Sequence, residues 1–221
     1  MVLLDYFSKI ADYLINNELL VENKSTVFQR ANQYIDEIIA IPFPDYLSHI
    51  KGTGELPYVL SSDVPQFSNI DSATNRICDL LSQTPVQGFN FEQIGKILQP
   101  GRTDDVYANK KYGENHIKTA ETLGLSFKNG HLYYLSAIGH IFPTLDQYKK
   151  EQLISRLALR NSFVYNVFYK ILNGLNVSIK DEISFLSEST IKRRKNNCLI
   201  LCNLTALNKD YPMRDLLNKI E

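Results

Sequence analysis

The sequence predicts a mainly α fold of tandem helix-turn-helix units, one of them carrying a small β-hairpin, preceded by a helical N-terminal region. Three observations predict it. Apolar residues recur at helical spacing through most segments. Ser, Asn or Asp stands at the start of most of these, where an N-cap belongs. Asn129-Gly130 separates two short apolar stretches, a strong short-range hairpin signal. The expected division is 1–70, an acidic helical region with an irregular linker, then 71–143, then 144–221 with a C-terminal tail.

Leu3 to Leu20 reads as a helix, with Leu3, Leu4, Phe7, Ile10, Ala11, Leu14 and Ile15 on one face. Ser25 to Ala40 reads as a second, with Val27, Phe28, Ala31, Tyr34, Ile35 and Ile38 on its face. Ile41-Pro-Phe-Pro stops it, and the proline-rich stretch 42–70 reads as irregular. Asp71 or Ser72 then caps a helix through Ser82, ended by Thr84-Pro85. Asn90 and Gln93 have capping-box spacing for a short helix containing Phe91, Ile94, Ile97 and Leu98. Asp104 and Asp105 suit the positive start of a third helix, which Gly124 stops. Leu125–Lys128 and His131–Leu135 flank the Asn-Gly turn. Helix, short helix, turn, helix and hairpin is the order of a winged helix, whose third helix can enter a major groove while the wing reaches the backbone.

A second unit follows in the same order. Thr144–Leu159 and Ser162–Leu172 read as helices, and Ser178 caps a short one over Ile179–Leu186. Ser187-Glu-Ser-Thr caps a long helix, Thr190 to about Leu207, and no second hairpin signal follows.

At 44% hydrophobic and 22% charged residues, the composition is near the globular average and excludes wholesale disorder. No apolar run is long enough to span a membrane, and the start lacks the basic region of a signal peptide, so a cytoplasmic protein is expected. Cys78, Cys198 and Cys202 then read as small buried hydrophobes, with too few ligands for zinc. The formal net charge is zero. Residues 1–75 hold four basic and ten acidic side chains, and 76–221 hold twenty and fourteen, so −6 offsets +6. That asymmetry suits a nucleic-acid partner for the second part.

The long helix of the second unit places Ile191, Cys198, Cys202, Thr205 and Ala206 on one face. Lys192, Arg193, Asn196, Asn197 and Asn203 lie opposite, with Arg194 and Lys195 at the seam. With Ser189 and Thr190 before them, Lys192, Arg193, Arg194, Lys195 and Asn196 are candidate DNA contacts: Arg can read guanine, Asn adenine, and Lys holds phosphates. Apolar side chains nearly surround the later turns, at Leu199, Ile200, Leu201, Leu204 and Leu207, a candidate seat for the tail, a protein partner or a second copy. In the first unit, Val106, Gly113, Ile117 and Ala120 face inward, while Tyr107, Lys111, Glu114, Asn115, Lys118 and Thr119 face outward. Tyr107, Lys111, Asn115 and Lys118, extended by Arg102 and Lys128, complete the candidate set. Gly113 in mid-helix implies close approach of a neighbour.

Two stretches carry a resemblance: Lys111-Tyr-Gly-Glu-Asn-His-Ile-Lys-Thr-Ala-Glu-Thr-Leu-Gly-Leu leading into Gly130-His-Leu-Tyr-Tyr-Leu-Ser-Ala-Ile-Gly, and Ser187-Glu-Ser-Thr-Ile-Lys-Arg-Arg. Over about residues 63–207 the chain resembles winged-helix modules attached to bacterial restriction-modification proteins, and is similar to the recognition halves of type IIS restriction enzymes. The resemblance implies sequence recognition of double-stranded DNA in a defence system, with cleavage done elsewhere. A metal-dependent nuclease needs a strand-borne acid and a downstream acidic-x-Lys. Pro44-Asp45 is present, but Glu22-Asn-Lys24 precedes it, and His116-Ile-Lys118 lacks its companion groups. No complete catalytic set is read, and no cofactor or metal is expected. The alternatives are a restriction endonuclease with an unrecognised site, or a winged-helix scaffold for protein partners.

Overall fold

The computed structural model describes residues 24–52, 56–66, 69, 72–83 and 88–221. The expected helix Leu3–Leu20, the acid Glu22, the capping residue Asp71 and the stop Thr84-Pro85 lie outside them. Among the described residues the chain is mainly helical, with one two-stranded antiparallel sheet. It divides into two compact units: residues up to Asp36 with Asn69–Leu145, and Glu37–Ser68 with Asp146–Glu221. The segment read as one N-terminal region is therefore split between the two.

Helix α1 (Lys24–Ala40), which belongs to the first unit up to Asp36, buries Val27, Ala31 and Ile35 there, one residue per turn along one stripe. Ser72–Arg76 forms a π-helical turn that continues as α2 (Ile77–Ser82). The Asn90/Gln93 capping box is present in full and starts α3 (Phe91–Leu98). Asp105 caps α4 (Val106–Thr122) by accepting from the Tyr107 and Ala108 amides at 2.8 and 3.3 Å. Gly124, at φ 70°, follows its C-terminus. Two glycines let α3 and α4 touch through their backbones. A Cβ on Gly95 would lie 2.0 Å from the Asn109 carbonyl oxygen, and one on Gly113 1.9 Å from that of Phe91.

Strands β1 (Ser126–Asn129) and β2 (Leu132–Leu135) pair with Asn129 opposite Leu132, so Gly130 and His131 form the turn. Phe89 adds one rung: it exchanges both backbone hydrogen bonds with Tyr133, each at 2.9 Å. Ser136 caps α5 (Ala137–Ile141), which ends in a 3-10 turn, Phe142–Thr144.

The second unit corrects the reading of 42–70 as irregular. Phe43–Gly52 is a helix, α6, because Pro44 falls in its first turn, where no amide is needed. Phe43, Leu47 and Ile50 are its buried stripe. The remaining helices are α7 (Gln147–Ala158), α8 (Ser162–Leu172), α9 (Ile179–Glu182), α10 (Glu188–Asn203) with a 3-10 turn at Leu204–Leu207, and α11 (Met213–Leu217). Helix α9 ends four residues earlier than its sequence suggests, and α10 begins two residues earlier. No hairpin follows α10. Instead Val177, between α8 and α9, pairs in parallel with Ile220, through Val177 N–H to Lys219 at 2.9 Å and Glu221 N–H to Val177 at 2.8 Å.

Buried donors bind 37–68 to the later helices, among them Arg156, Tyr165, Asn161, Asn166 and Arg194. Arg156, 1% exposed, donates to the carbonyls of Ile39 and Ile41 at 3.2 and 2.9 Å and lies 5.3 Å from the Phe43 ring centroid. Tyr165 donates its hydroxyl to Ile50 at 2.9 Å. Arg194 donates to Ser61 and Val64, 3.0 and 3.2 Å away. The two buried guanidinium groups donate to carbonyl oxygens rather than to acids, Arg156 also to Gln152 Oε1 at 2.8 Å, while Nε of each has no partner among the described residues; burial lowers the pKa of both.

Candidate nucleic-acid interface

Helix α10 buries Ile191, Arg194, Cys198, Leu201 and Cys202 against its own unit. The opposite face is thereby fixed outward: Lys192, Arg193, Lys195 and Asn196 are all exposed, as is Ser189, while Thr190 is half-buried. Among the described residues Lys192, Arg193 and Lys195 form no ion pair, and even Glu188, one turn before Lys192, does not reach it. Ser187 occupies the N-cap position without capping. Its hydroxyl donates to Thr190 Oγ1 at 2.9 Å and lies 3.3 Å from Ser189 Oγ. The first-turn amides of α10 therefore have no side-chain acceptor among the described residues, although that of Thr190 donates to the Ser187 carbonyl at 2.9 Å.

Arg194 is the correction. At 7% exposure it does not reach phosphate, because its guanidinium points into the protein and holds the loop at Ser61–Val64. A helix wheel places it at the seam, and the loop carbonyls decide which way it turns.

Helix α4 differs in two respects. Asp105 already occupies its first-turn amides. Two of its outward lysines also share one acid: Lys111 and Lys118 both pair with Glu114, at 3.0 and 2.7 Å. Burial raises the Glu114 pKa, but the hydrogen bonds from Lys118 and Lys111 outweigh it and hold the carboxyl below its ordinary value. Tyr107, 76% exposed, is the most prominent side chain of this face, and Asn115 is half-buried. Arg102 is exposed and donates to Gln99 Oε1 at 3.2 Å; Lys128 is exposed on β1. Val106 is 45% exposed rather than inward, since the first turn of α4 projects beyond the core, and Thr119 is buried, donating to the Asn115 carbonyl at 2.8 Å. His116 is fully buried with Nδ1 2.8 Å from the Tyr112 carbonyl, so it faces neither solvent nor Lys118.

The division into units also alters the charge balance. The first unit carries ten basic and twelve acidic residues, the second fourteen and twelve. The −6 and +6 of the sequence halves become −2 and +2. Local arrangement on α10, rather than domain-wide charge, is what distinguishes this surface. The cysteines are all buried, and burial pushes the Cys198 thiol up to about 12, far from a reactive thiolate. Of the apolar residues at the end of α10, Leu201 is buried and Leu199, Ile200, Leu204 and Leu207 are half-buried, with Leu204–Leu207 lying on α7.

Sequence reasoning missed two exposed features. One is the loop Leu56–Val64, hidden inside a presumed linker. The other is Phe185, 49% exposed in the turn between α9 and α10. No protein-family model, curated protein or solved structure matches the chain.

Proposed function

We propose that the chain is a double-stranded DNA-binding protein that recognises sequence through two helix-turn-helix units, the first of them a winged helix. The observation that carries this reading is the start of α10. Three unpaired cations, an exposed Asn196 and uncapped first-turn amides share one rigidly seated helix end. Such an end can hold phosphates with Lys192 and Lys195 while Arg193 and Asn196 address base edges. The Phe89 rung supports the winged-helix reading of the first unit, because it adds a strand position before α3 to the hairpin after α4. Val177 holds the corresponding position in the second unit, between α8 and α9. The restriction-modification setting rests on the sequence resemblance alone, with cleavage assigned to another protein or domain.

The test is duplex binding as a function of salt. Five cations of the candidate set carry no ion pair among the described residues: Arg102, Lys128, Lys192, Arg193 and Lys195. If all five meet phosphates, log K falls against log salt with a slope of about −4 to −5. Absence of binding at low salt, or a salt-independent affinity, overturns the proposal. A binding-site selection on random duplexes then decides whether binding is specific.

A further inference from the structure

Helix α10 is held unevenly along its length. Its later turns are set in the core by Cys198, Leu201 and Cys202, all 0% exposed. In residues 188–197, which carry Lys192, Arg193 and Lys195, only Ile191 and Arg194 are buried. Ile191 supplies apolar contact, which has no preferred direction. Arg194 supplies hydrogen bonds, which do: its Nη1 donates to the Ser61 carbonyl at 3.0 Å and to the Val64 carbonyl at 3.2 Å.

The turn that offers those carbonyls is itself fixed. Asn166 Nδ2 of α8 donates to the Pro57 carbonyl at 2.9 Å, and Asn161 Nδ2, at the N-cap of α8, to the Asp63 carbonyl at 3.0 Å. The Leu60 amide donates to Asp63 Oδ2 at 2.7 Å and the Asp63 amide to the Leu60 carbonyl at 2.9 Å, which closes the turn. Helix α8 is a core helix, with Phe163, Val164, Val167 and Phe168 all 0% exposed. A chain of hydrogen bonds therefore runs from the core, through the turn Leu60–Val64, to the first half of α10. A buried guanidinium facing neutral carbonyls carries a desolvation cost that an apolar contact avoids. What it adds is direction.

We propose that Arg194 is a positioning residue for DNA binding, an inference that rests on the DNA reading above. Held against the turn Leu60–Val64, it fixes the rotation of α10 about its axis and so the direction in which the cations project. Successive residues stand about 100° apart on a helix, so an inward Arg194 sets Arg193 and Lys195 to either side and Lys192 opposite. Arg194 itself touches no phosphate; it supports the residues that do.

The experiment uses the full chain and a pool of random-sequence DNA duplexes, with affinity measured across a salt series well below the melting temperature of each variant. Arg194→Met is expected to bind about tenfold more weakly, with a salt slope flatter by about 0.9, the equivalent of one phosphate contact out of register. Asp63→Asn and Asp63→Ala separate position from charge. Both remove one negative charge, which by itself strengthens binding to a polyanion. Asn keeps an acceptor for the Leu60 amide and Ala does not, so Asp63→Ala is expected to bind about threefold more weakly than Asp63→Asn. This pair decides the matter if Arg194→Met does not fold. If a folded Arg194→Met binds within about twofold of the unaltered protein with the same slope, or if the two Asp63 variants bind equally, Arg194 is a structural brace only and the α10 reading stands. If the unaltered protein binds no duplex at low salt, both fall.

Discussion

Gly113 of α4 lies directly on the Phe91 carbonyl of α3: a Cβ at that position would be 1.9 Å from the oxygen. The contact is backbone on backbone, so no rotamer change can relieve an added methyl. In an open helix interior, Gly→Ala is stabilising by about 1 kcal/mol. Here the sign reverses, and Gly113→Ala is expected to cost about 2–3 kcal/mol, as overpacking does. Urea denaturation checks it. A stabilised variant would show that α3 and α4 do not approach each other as described.

Arg194 and Lys195 are neighbours of the same charge with opposite fates, and stability separates them. Arg194→Met leaves the Ser61 and Val64 carbonyls without their donor and is expected to cost about 2–4 kcal/mol, as losing hydrogen bonds from a buried charged group does. Lys195→Ala is expected within about 0.5 kcal/mol of the parent protein, because its side chain is exposed and makes no ion pair among the described residues. Chemical denaturation of the two variants side by side is the measurement. Equal losses would remove the distinction on which the corrected interface rests.

Local signals were legible where one segment carries its own explanation. The Asn90/Gln93 capping box, the Asp105 cap, the stop at Gly124 and the close approach implied by Gly113 all follow from a few neighbouring residues. The Phe43 helix was obscured because Pro44 looks like a breaker unless it is recognised as a first-turn residue. The burial of Arg194 and Arg156 was not legible at all, since both acceptors of Arg194 and the Ile39 and Ile41 acceptors of Arg156 lie more than a hundred residues away in sequence. Periodicity assigns a face, but long-range carbonyls decide whether a guanidinium turns in or out.

The partition of 37–68 predicts the effect of truncation. On the proposed DNA reading, the charge asymmetry along the chain predicts that a fragment from about Asp71 onward binds DNA at least as tightly as the whole chain. Yet that fragment loses the buried stripe of α6 and every acceptor of Arg194, together with two of those of Arg156. The second unit is therefore expected to lose cooperative folding when 37–68 is deleted. Hydrogen exchange of α8 and α10 in fragments beginning at 37 and at 71 is the check. Equal protection in both would mean that 37–68 is dispensable packing.

His116 sets a pH dependence. Burial lowers its pKa from the ordinary value near 6.5; the Tyr112 carbonyl opposes this and the charge of Arg76 adds to it. The unfolded chain therefore binds this proton more readily than the folded one. Stability is complete above the unfolded pKa and falls as pH drops below about 6.5, until the folded-state value is passed. His116→Gln keeps a donor for the Tyr112 carbonyl and has no titration in this range. Its stability curve between pH 7 and pH 5 is expected to be flatter than that of the parent protein, whatever its absolute stability; parallel curves would rule out a buried neutral imidazole.

Glu114 decides whether α4 shares the interface. It pairs with Lys111 and Lys118 at once, and those pairs hold its pKa below the ordinary value, so the clamp persists at neutral pH. Glu114→Gln releases both lysines while costing the helix about 1 kcal/mol in surface pairs. If α4 faces the duplex, the freed cations add up to two phosphate contacts, and the salt slope steepens by up to about 1.8. Affinity at low salt rises with it. If α10 alone carries binding, the slope stays where Lys192, Arg193 and Lys195 set it. The expected outcome is steepening, because Tyr107 and Arg102 extend the same exposed side of the first unit. An unchanged slope would leave α10 as the recognition helix and make the Lys111–Glu114–Lys118 cluster an ordinary stabiliser of α4.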